Sequence, residues 1–532
     1  MSAKIDPTSV ASKDFPVAGH ADLVVLGAGP AGIAAAQEAR ELGLEVMLVD
    51  EHPVASALIG LDVPYLFGER LNSAVQNKQR MLERVVGQRP EIELLFEAGV
   101  DVRLGIYAWG VFVDGATSRA LGRRLLGLAD EAHSWFVSFD RMIVAAGARD
   151  LAVAFPGWDR PGVMGARGFA AAVGLYQAFS GRRIVVLGAG TLGLKVAQQA
   201  FQAGTEVAGI VDFGGPTPGS ALQDLLGRGV PIHAGHSVRG VAGEGEVAGI
   251  RVAPLGCGDD QFEIACDTIV SALDVVPASE LFDLLGCKIA WRAERGGFVP
   301  MVDGEGRTSV AGIYAAGDCT SVTDAAIGDP AIAAASGRSA ARAAARDSGV
   351  TAEALAAPVH GGGADRTEHA RAWLKTHLDA TEGTVICRCE DVSLSDLIGV
   401  RPPRYLAYDE TRFAGRDLRS LAAEGPINQD HIKRLTRAGM GSCQGRRCRE
   451  QVHLLLTLQG NEPPGSVPMP SYRAPLRPLP LNVLAADDET PEMRRNWVTW
   501  FGIRAQWLPH WQKVPEGVAL SDHKVGLWDV SK

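Results

Sequence analysis

Twice in this 532-residue chain an apolar, strand-like run meets a Gly-x-Gly-x-x-Gly turn, a helical stretch and a second apolar run ending in an acid. The first copy runs from Ala21 through Gly27-Ala28-Gly29-Pro30-Ala31-Gly32. A predicted helix over 33–42 follows, closes at Gly43, and gives way to a strand over 45–50 ending in Asp50. Gly27 permits the tight turn, Gly29 lets the backbone approach a pyrophosphate, and Gly32 lets the helix press on the strand. The helix N-terminus then offers unpaired N–H groups and partial positive charge to phosphates. Asp50 is placed to accept hydrogen bonds from a ribose, with Glu51 as the alternative acceptor. A lone glycine motif is a weak signal; here strand, turn, helix, second strand and acid all stand in order.

The second copy, Arg183 to Leu187 followed by Gly188-Ala-Gly190-Thr-Leu-Gly193, leads to a helix over 194–203, Gly204, and a strand over 206–212 ending in Asp212. No arginine follows that strand, which argues against recognition of a 2′-phosphate. Asp212 suits NADH or an adenine nucleotide, and a retained fold without a ligand is the competing reading.

The length predicts about three domains. A formal charge of −10 argues against nucleic acid as the main partner. No apolar run reaches the roughly 18 residues of a membrane span. The N-terminus lacks the apolar core of a signal peptide, so a cytoplasmic location is expected. In a reducing compartment clustered cysteines are ligands or catalysts rather than disulfides.

Four of the eight cysteines cluster late in the chain: Cys387 and Cys389 as C-x-C, Cys443 and Cys448 as C-x4-C. Four thiolates are what a [2Fe–2S] cluster takes. The strand-like run Thr384-Val-Ile before Cys387 puts the C-x-C at a strand end or loop; where extended, both its thiols point the same way, and a helix starting near Cys448 would aim its N-terminus at them. Lys433, Arg434, Arg437, Arg446, Arg447 and Arg449 surround them with positive charge suited to a dianionic centre. Zinc is the rival, although its cysteines are usually spaced by two to four residues; free thiols are the third reading.

Further stretches carry resemblances. Gly312-Ile-Tyr-Ala-Ala-Gly317-Asp318 resembles the C-terminal Gly-Asp fingerprint of flavoproteins with two dinucleotide-binding folds, and Met142-Ile-Val-Ala-Ala146-Gly147 resembles their middle motif. The resemblance implies FAD at the first glycine motif, with Asp318 on its ribityl or pyrophosphate part. It also implies a second Rossmann unit nested within the first, as in glutathione-reductase-like folds. The close redox cysteine pair of disulfide reductases is missing: Cys257, Cys266, Cys287 and Cys319 are scattered.

The segments Cys387-Arg-Cys-Glu390 and Asn428 to Cys448 resemble the bacterioferritin-associated-ferredoxin-like [2Fe–2S] domain in the A subunits of opine oxidases. Related chains serve heteromeric proline and hydroxyproline dehydrogenases and hydrogen cyanide synthase. The resemblance spans about 21–485. It implies an electron-transfer subunit beside a catalytic amine-oxidase-like flavoprotein subunit, with a small ferredoxin-like subunit completing the complex. The chain departs from the family pattern at 53–60, where a Gly-Gly-Gln stretch is replaced, at 272–277, and in the 53-residue spacer between the cysteine pairs.

The expected fold is α/β: two nested Rossmann-like domains, 21–150 with 295–345 for FAD and 151–294 inserted. A linker (346–380), a [2Fe–2S] domain (381–456) and a Pro- and Trp-rich extension (457–532) follow, after a leader of 20 residues. Five of the ten tryptophans, Trp497, Trp500, Trp507, Trp511 and Trp528, fall in 486–532, which suits docking on a partner or, equally, a tail folded on its own domain. The expected function is electron relay within a heteromeric amino-acid, opine or amine dehydrogenase. The alternatives are a self-sufficient NADH-dependent reductase and a scaffold holding an adenine nucleotide and the cluster.

Overall fold

In the computed structural model the described residues are 16–53, 70–113, 123–257, 260–327, 329–358, 365, 367–378, 383–406 and 408–484. The replaced stretch at 54–60 and the tryptophan-rich tail lie outside them.

The first glycine motif builds a seven-stranded sheet. Its strands are β1 (His20–Leu26), β2 (Val46–Asp50), β3 (Asp101–Leu104), β4 (Tyr107–Phe112), β5 (Leu125–Ala129) and β6 (Ser134–Val144), in the order β3-β2-β1-β6-β5-β4. The late strand Ile313–Ala315 pairs with β6 in parallel. β1, β2 and β3 run parallel, whereas β4, β5 and β6 form an antiparallel flap. Leu23, Val24, Val25 and Leu48 are fully buried, as expected for strands covered on both faces. Register aligns Leu26 with Val144 and Val144 with Ala315. Three strands therefore end level, and three sequence motifs nearly 300 residues apart meet at one edge. This is where open α/β sheets bind ligands.

Helix α1 (Pro30–Glu41) leaves the first glycine turn. The helix Pro330–Asp347 lies across it so closely that a Cβ at Gly337 would stand 2.0 Å from the Ala31 carbonyl oxygen. The run of buried alanines in that helix (Ala340, Ala341, Ala343, Ala344, Ala345) keeps the two backbones near each other.

The second motif builds a five-stranded parallel sheet of Ile232–Ala234, Glu206–Asp212, Arg183–Leu187, Thr268–Ser271 and Val163–Gly165. An antiparallel meander over 236–265 flanks it. The strand Ala148–Asp150, directly after the Gly147 motif, pairs with Val275–Pro277 and ties the two units together.

The segment expected as a linker, 346–380, is not one throughout. It contains the helix Thr367–Leu378, whose Trp373 is fully buried. That helix belongs to a core that joins Val211 and Leu187 of the second sheet to Ile386, Cys387, Cys448 and Leu455 of the cysteine region. The cysteine region has a short hairpin, Val385–Cys387 with Val392–Ser393, and packed helices including Gln429–Thr436 and Arg449–Gly460. Among the described residues no helix is long and apolar enough to cross a membrane.

Candidate functional site

At the first motif Gly32 is required by close approach: a Cβ there would lie 1.7 Å from the Gly27 carbonyl oxygen. At Gly29, by contrast, a Cβ would meet nothing within 4 Å. Gly29 is the N-cap of α1, and no side chain caps that helix. The turn thus leaves open space before unpaired N–H groups, which is the cradle a pyrophosphate needs. Ala28 N–H donates to Asp50 Oδ2 at 2.5 Å, and His52 donates to Asp50 Oδ1 from its backbone N–H (2.7 Å) and pairs through Nδ1 (2.8 Å). Burial opposes the charge on Asp50, but His52, Arg89 and the Ala28 N–H outweigh it and hold the carboxyl down at about 2. Glu51 is turned elsewhere, to an ion pair with Arg477.

Arg89 and Arg167 carry no motif and escaped the sequence reading. Arg89 Nη1 donates to the Ala28 carbonyl at 2.8 Å, which brings a cation to the turn. Arg167 is ion-paired with Asp318, the acid of the Gly-Asp fingerprint. Gly317 lies beside Ala31, its Cβ position 2.9 Å from the Ala31 Cβ, and its N–H donates to Ser336 Oγ. Gly147 accepts from Ala278 N–H. The first, middle and last fingerprints therefore line one crevice, with cations from Arg89 and Arg167 at hand. That donor set suits FAD: an acid for ribose, N–H groups and guanidinium for phosphates, and a second acid beyond.

Cys319 is not a redox partner for a ring in that crevice. It is fully buried, and its thiol donates to the carbonyls of Ala316 (3.2 Å) and Val144 (3.3 Å). Burial pushes the thiol up to about 12.

The second motif repeats the cradle. A Cβ at Gly193 would lie 1.9 Å from the Gly188 carbonyl oxygen, Gly190 faces open space, and Ala189 N–H donates to Asp212 Oδ2 at 2.6 Å. The acid's other partners match those of Asp50 in kind, a backbone N–H and a histidine, but the histidine comes from a remote helix. Asp212 Oδ1 accepts from Gly214 N–H (2.8 Å) and pairs with His369 Nε2 (2.9 Å) on the helix Thr367–Leu378. The His369 ring stacks on Phe213 at 4.4 Å between centroids. Burial opposes the Asp212 charge, and His369 and the two N–H groups overcome it, so its carboxyl lies below the usual range.

The four cysteines form two pairs across the two loops. The Cys448 thiol is hydrogen-bonded to Cys387, and the Cys443 thiol to Cys389. In each pair that bond lowers the C-x-C thiol against the opposing effect of burial; the partner is raised, first by the same bond and then by burial. Gly439 N–H donates to Cys387 Sγ (3.4 Å) and the Ser442 hydroxyl to Cys389 Sγ (3.7 Å). At Gly441 a Cβ would stand 2.3 Å from the Cys389 Cβ, so the loops close only with glycine there. The C-x-C is not continuous strand. Strand structure ends at Cys387 and the chain turns over 388–391, which sends the two thiols to different partners.

Among the described residues, no three of these sulfurs lie mutually within 4.8 Å. A tetrahedral zinc with Zn–S bonds near 2.3 Å draws its sulfurs to roughly 3.8 Å from one another. Two separated pairs fit two irons better, with two thiolates on each.

A buried ionic network runs between the first crevice and the cysteines. Arg149, two residues after Gly147, pairs with both Glu280 and Glu450. Glu450 also accepts from Arg449 at 2.8 and 3.0 Å, and Arg449 follows Cys448 directly.

Fold and crevice together define an oxidoreductase built on two dinucleotide-binding folds. The chain belongs to the pyridine nucleotide-disulphide oxidoreductase family of FAD-dependent enzymes, whose profile matches residues 21–348; the Sarcosine oxidase A3 domain matches 410–488. Among the A subunits of opine oxidases, that of Agrobacterium tumefaciens (strain Ach5) is 28% identical over 499 residues, spanning 87% of this chain and 91% of that one. This bears out the resemblance noted in the sequence. The alpha chain of sarcosine oxidase from Corynebacterium sp. (strain P-1) is 26% identical over 90% of this chain, which spans 47% of that longer protein. The solved L-proline dehydrogenase from P. horikoshii has the same fold, with a TM-score of 0.58 at 21% identity over 89% of this chain and 81% of that one.

Proposed function

We propose that this chain is the electron-relaying subunit of a heteromeric flavin-dependent dehydrogenase or oxidase acting on an amino acid, opine or amine. The pairing of four thiols across two loops carries the reading, because two separated pairs suit two irons better than one zinc. Gly27, Ala28, Gly29, Pro30, Ala31, Gly32, Asp50, Ala146, Gly147, Gly317 and Asp318 would hold FAD, and Cys387, Cys389, Cys443 and Cys448 a [2Fe–2S] cluster. Bound there, the two groups supply acceptance of an electron pair and its release one electron at a time.

The chain's own residues serve that task by orientation and charge. Asp50 stays ionised for ribose hydroxyls, and the α1 N-terminus with Arg89 compensates phosphate charge. The Arg149–Glu450–Arg449 network fixes the strand after Gly147 against the helix after Cys448. Substrate chemistry is assigned to a partner subunit, as the names of the opine and sarcosine oxidase relatives suggest.

Pairing of Asp212 with His369 weighs against the alternative of a self-sufficient NADH-dependent reductase, since a packed helix must shift before a ribose reaches that acid, whereas His52 stands on the chain just after Asp50. The test is to purify the chain with and without the product of a neighbouring amine-oxidase-like gene, then add NADH or an opine. Flavin bleaching by the opine in the complex, with none by NADH in the single chain, supports the subunit reading. Bleaching by NADH alone refutes it.

A further inference from the structure

The thiol pairs lie off-centre in their domain. Cys387, Cys443 and Cys448 are each 1% exposed, whereas Cys389 reaches the surface. Exposed apolar side chains stand near Cys389, among polar ones such as Ser442 and Asp391. Met440 (39% exposed) stands two residues before Ser442, whose hydroxyl donates to Cys389 Sγ. Tyr405 and Leu406 are 59% and 54% exposed. Tyr405 belongs to the same edge, because its hydroxyl and Arg437 Nε–H converge on Glu390 Oε2 at 2.5 and 2.7 Å, and Glu390 follows Cys389. Gly441 packs against Cys389 with no side chain between.

The surroundings are basic. Arg434 is exposed on the helix Gln429–Thr436, three residues before Arg437. Residues 383–484 hold fourteen lysines and arginines against ten acids, in a chain whose formal charge is −10. Weak redox encounters bury little surface, under about 1,200 Å². They depend on charge complementarity for their on-rates. A small apolar centre beside a surface thiol, on the basic part of an acidic chain, has those properties.

We propose that the edge formed by Tyr405, Leu406 and Met440 around Cys389 docks a small acidic one-electron carrier protein. The proposal rests on the cluster reading above. One electron leaves by way of Cys389 and reduces the carrier, while the iron that gave it is oxidised; no atom or proton moves. Two such encounters discharge the electron pair taken from one substrate molecule. The same face serves transfer in the reverse direction.

The experiment uses the full chain and an acidic flavodoxin reduced to its hydroquinone. Stopped-flow absorbance follows flavodoxin semiquinone as the electron passes into the chain, and calorimetry at low salt measures binding. Electron paramagnetic resonance verifies the cluster in every variant. The expected rate falls on the order of tenfold between about 0.02 and 0.3 M salt. Met440→Glu and Arg434→Glu each slow it several-fold and weaken flavodoxin binding, with the resonance signal unchanged. A normal signal with transfer indifferent to salt and to both substitutions overturns the docking face alone. A full chain without the signal overturns the cluster reading and this proposal with it.

Discussion

His369 and Asp212, 157 residues apart, are paired at 2.9 Å, so that a helix remote in sequence reaches the acid of the second glycine motif. The equivalent acid of the first fold, Asp50, is paired instead with His52, two residues away on the same loop. The two rings are equally exposed, at 31%, but His52 follows its acid on the same segment whereas His369 is held by a helix whose Trp373 and Leu374 are buried in the shared core.

NADH and ADP-ribose are expected to bind the second motif more weakly in the wild-type chain, where that helix must yield, than in His369→Ala, a comparison calorimetry on the purified proteins checks directly. His369→Ala leaves the buried Asp212 carboxylate short of a partner and lowers unfolding stability by about 1–3 kcal/mol. Denaturant titration reads this. Stability unchanged by the substitution would show that the contact contributes nothing.

The last two glycines of the first motif respond oppositely to substitution. Gly29→Leu projects into open space, so the fold persists with a loss of about 1 kcal/mol from the N-cap, but bound flavin disappears. Gly32→Ala drives a methyl into the Gly27 carbonyl and costs several kcal/mol. Flavin absorbance per chain and the unfolding midpoint separate the two effects. A Gly29→Leu protein that keeps its flavin would remove the motif from the binding site.

The glycine motifs were legible because their meaning is local: each is one strand, one turn and one helix, with every constraint inside some 25 residues. The levelling of Leu26, Val144 and Ala315 was foreshadowed by three motifs in family order. Arg89, Arg167 and His369 were not legible, because each arrives from a remote segment and is selected by tertiary packing rather than by periodicity. The strand end at Cys387 was legible, but the divergence of the two thiols was not, for a related reason. A C-x-C reads as extended chain until the second loop, with Gly441 against Cys389, dictates where each thiol goes.

Acid weakens the packing of the cysteine domain through His453. This side chain is buried, and Nε2 reaches the carbonyls of Pro464 (2.9 Å) and Val467 (3.0 Å). Burial depresses it to about 4 against those carbonyls. A histidine depressed in the folded state contributes stability above its unfolded value near 6.5, and that contribution is lost as pH falls from about 6.5 to 4. The loss reaches about 3 kcal/mol at the acid end. In His453→Gln, unfolding midpoints measured across this window should fall less steeply than in wild type. Parallel slopes would assign the acid sensitivity elsewhere.

Removing one member of the Arg149–Glu450–Arg449 network leaves buried charge uncompensated. Glu450→Gln should cost about 3–5 kcal/mol. Because Glu450 adjoins the helix after Cys448, iron content should fall with it. Iron analysis alongside denaturant unfolding tests the pairing, and full iron in a destabilised Glu450→Gln protein would separate the network from the cysteines.

The nature of the centre held by the four cysteines decides the whole reading, and metal analysis with electron paramagnetic resonance on the anaerobically purified full chain measures it. The expected result is about two irons per chain and, on one-electron reduction, the signal of a reduced [2Fe–2S] cluster, both lost in Cys389→Ser with Cys443→Ser. One zinc per chain, or no metal and no signal in protein purified under those conditions, would contradict it.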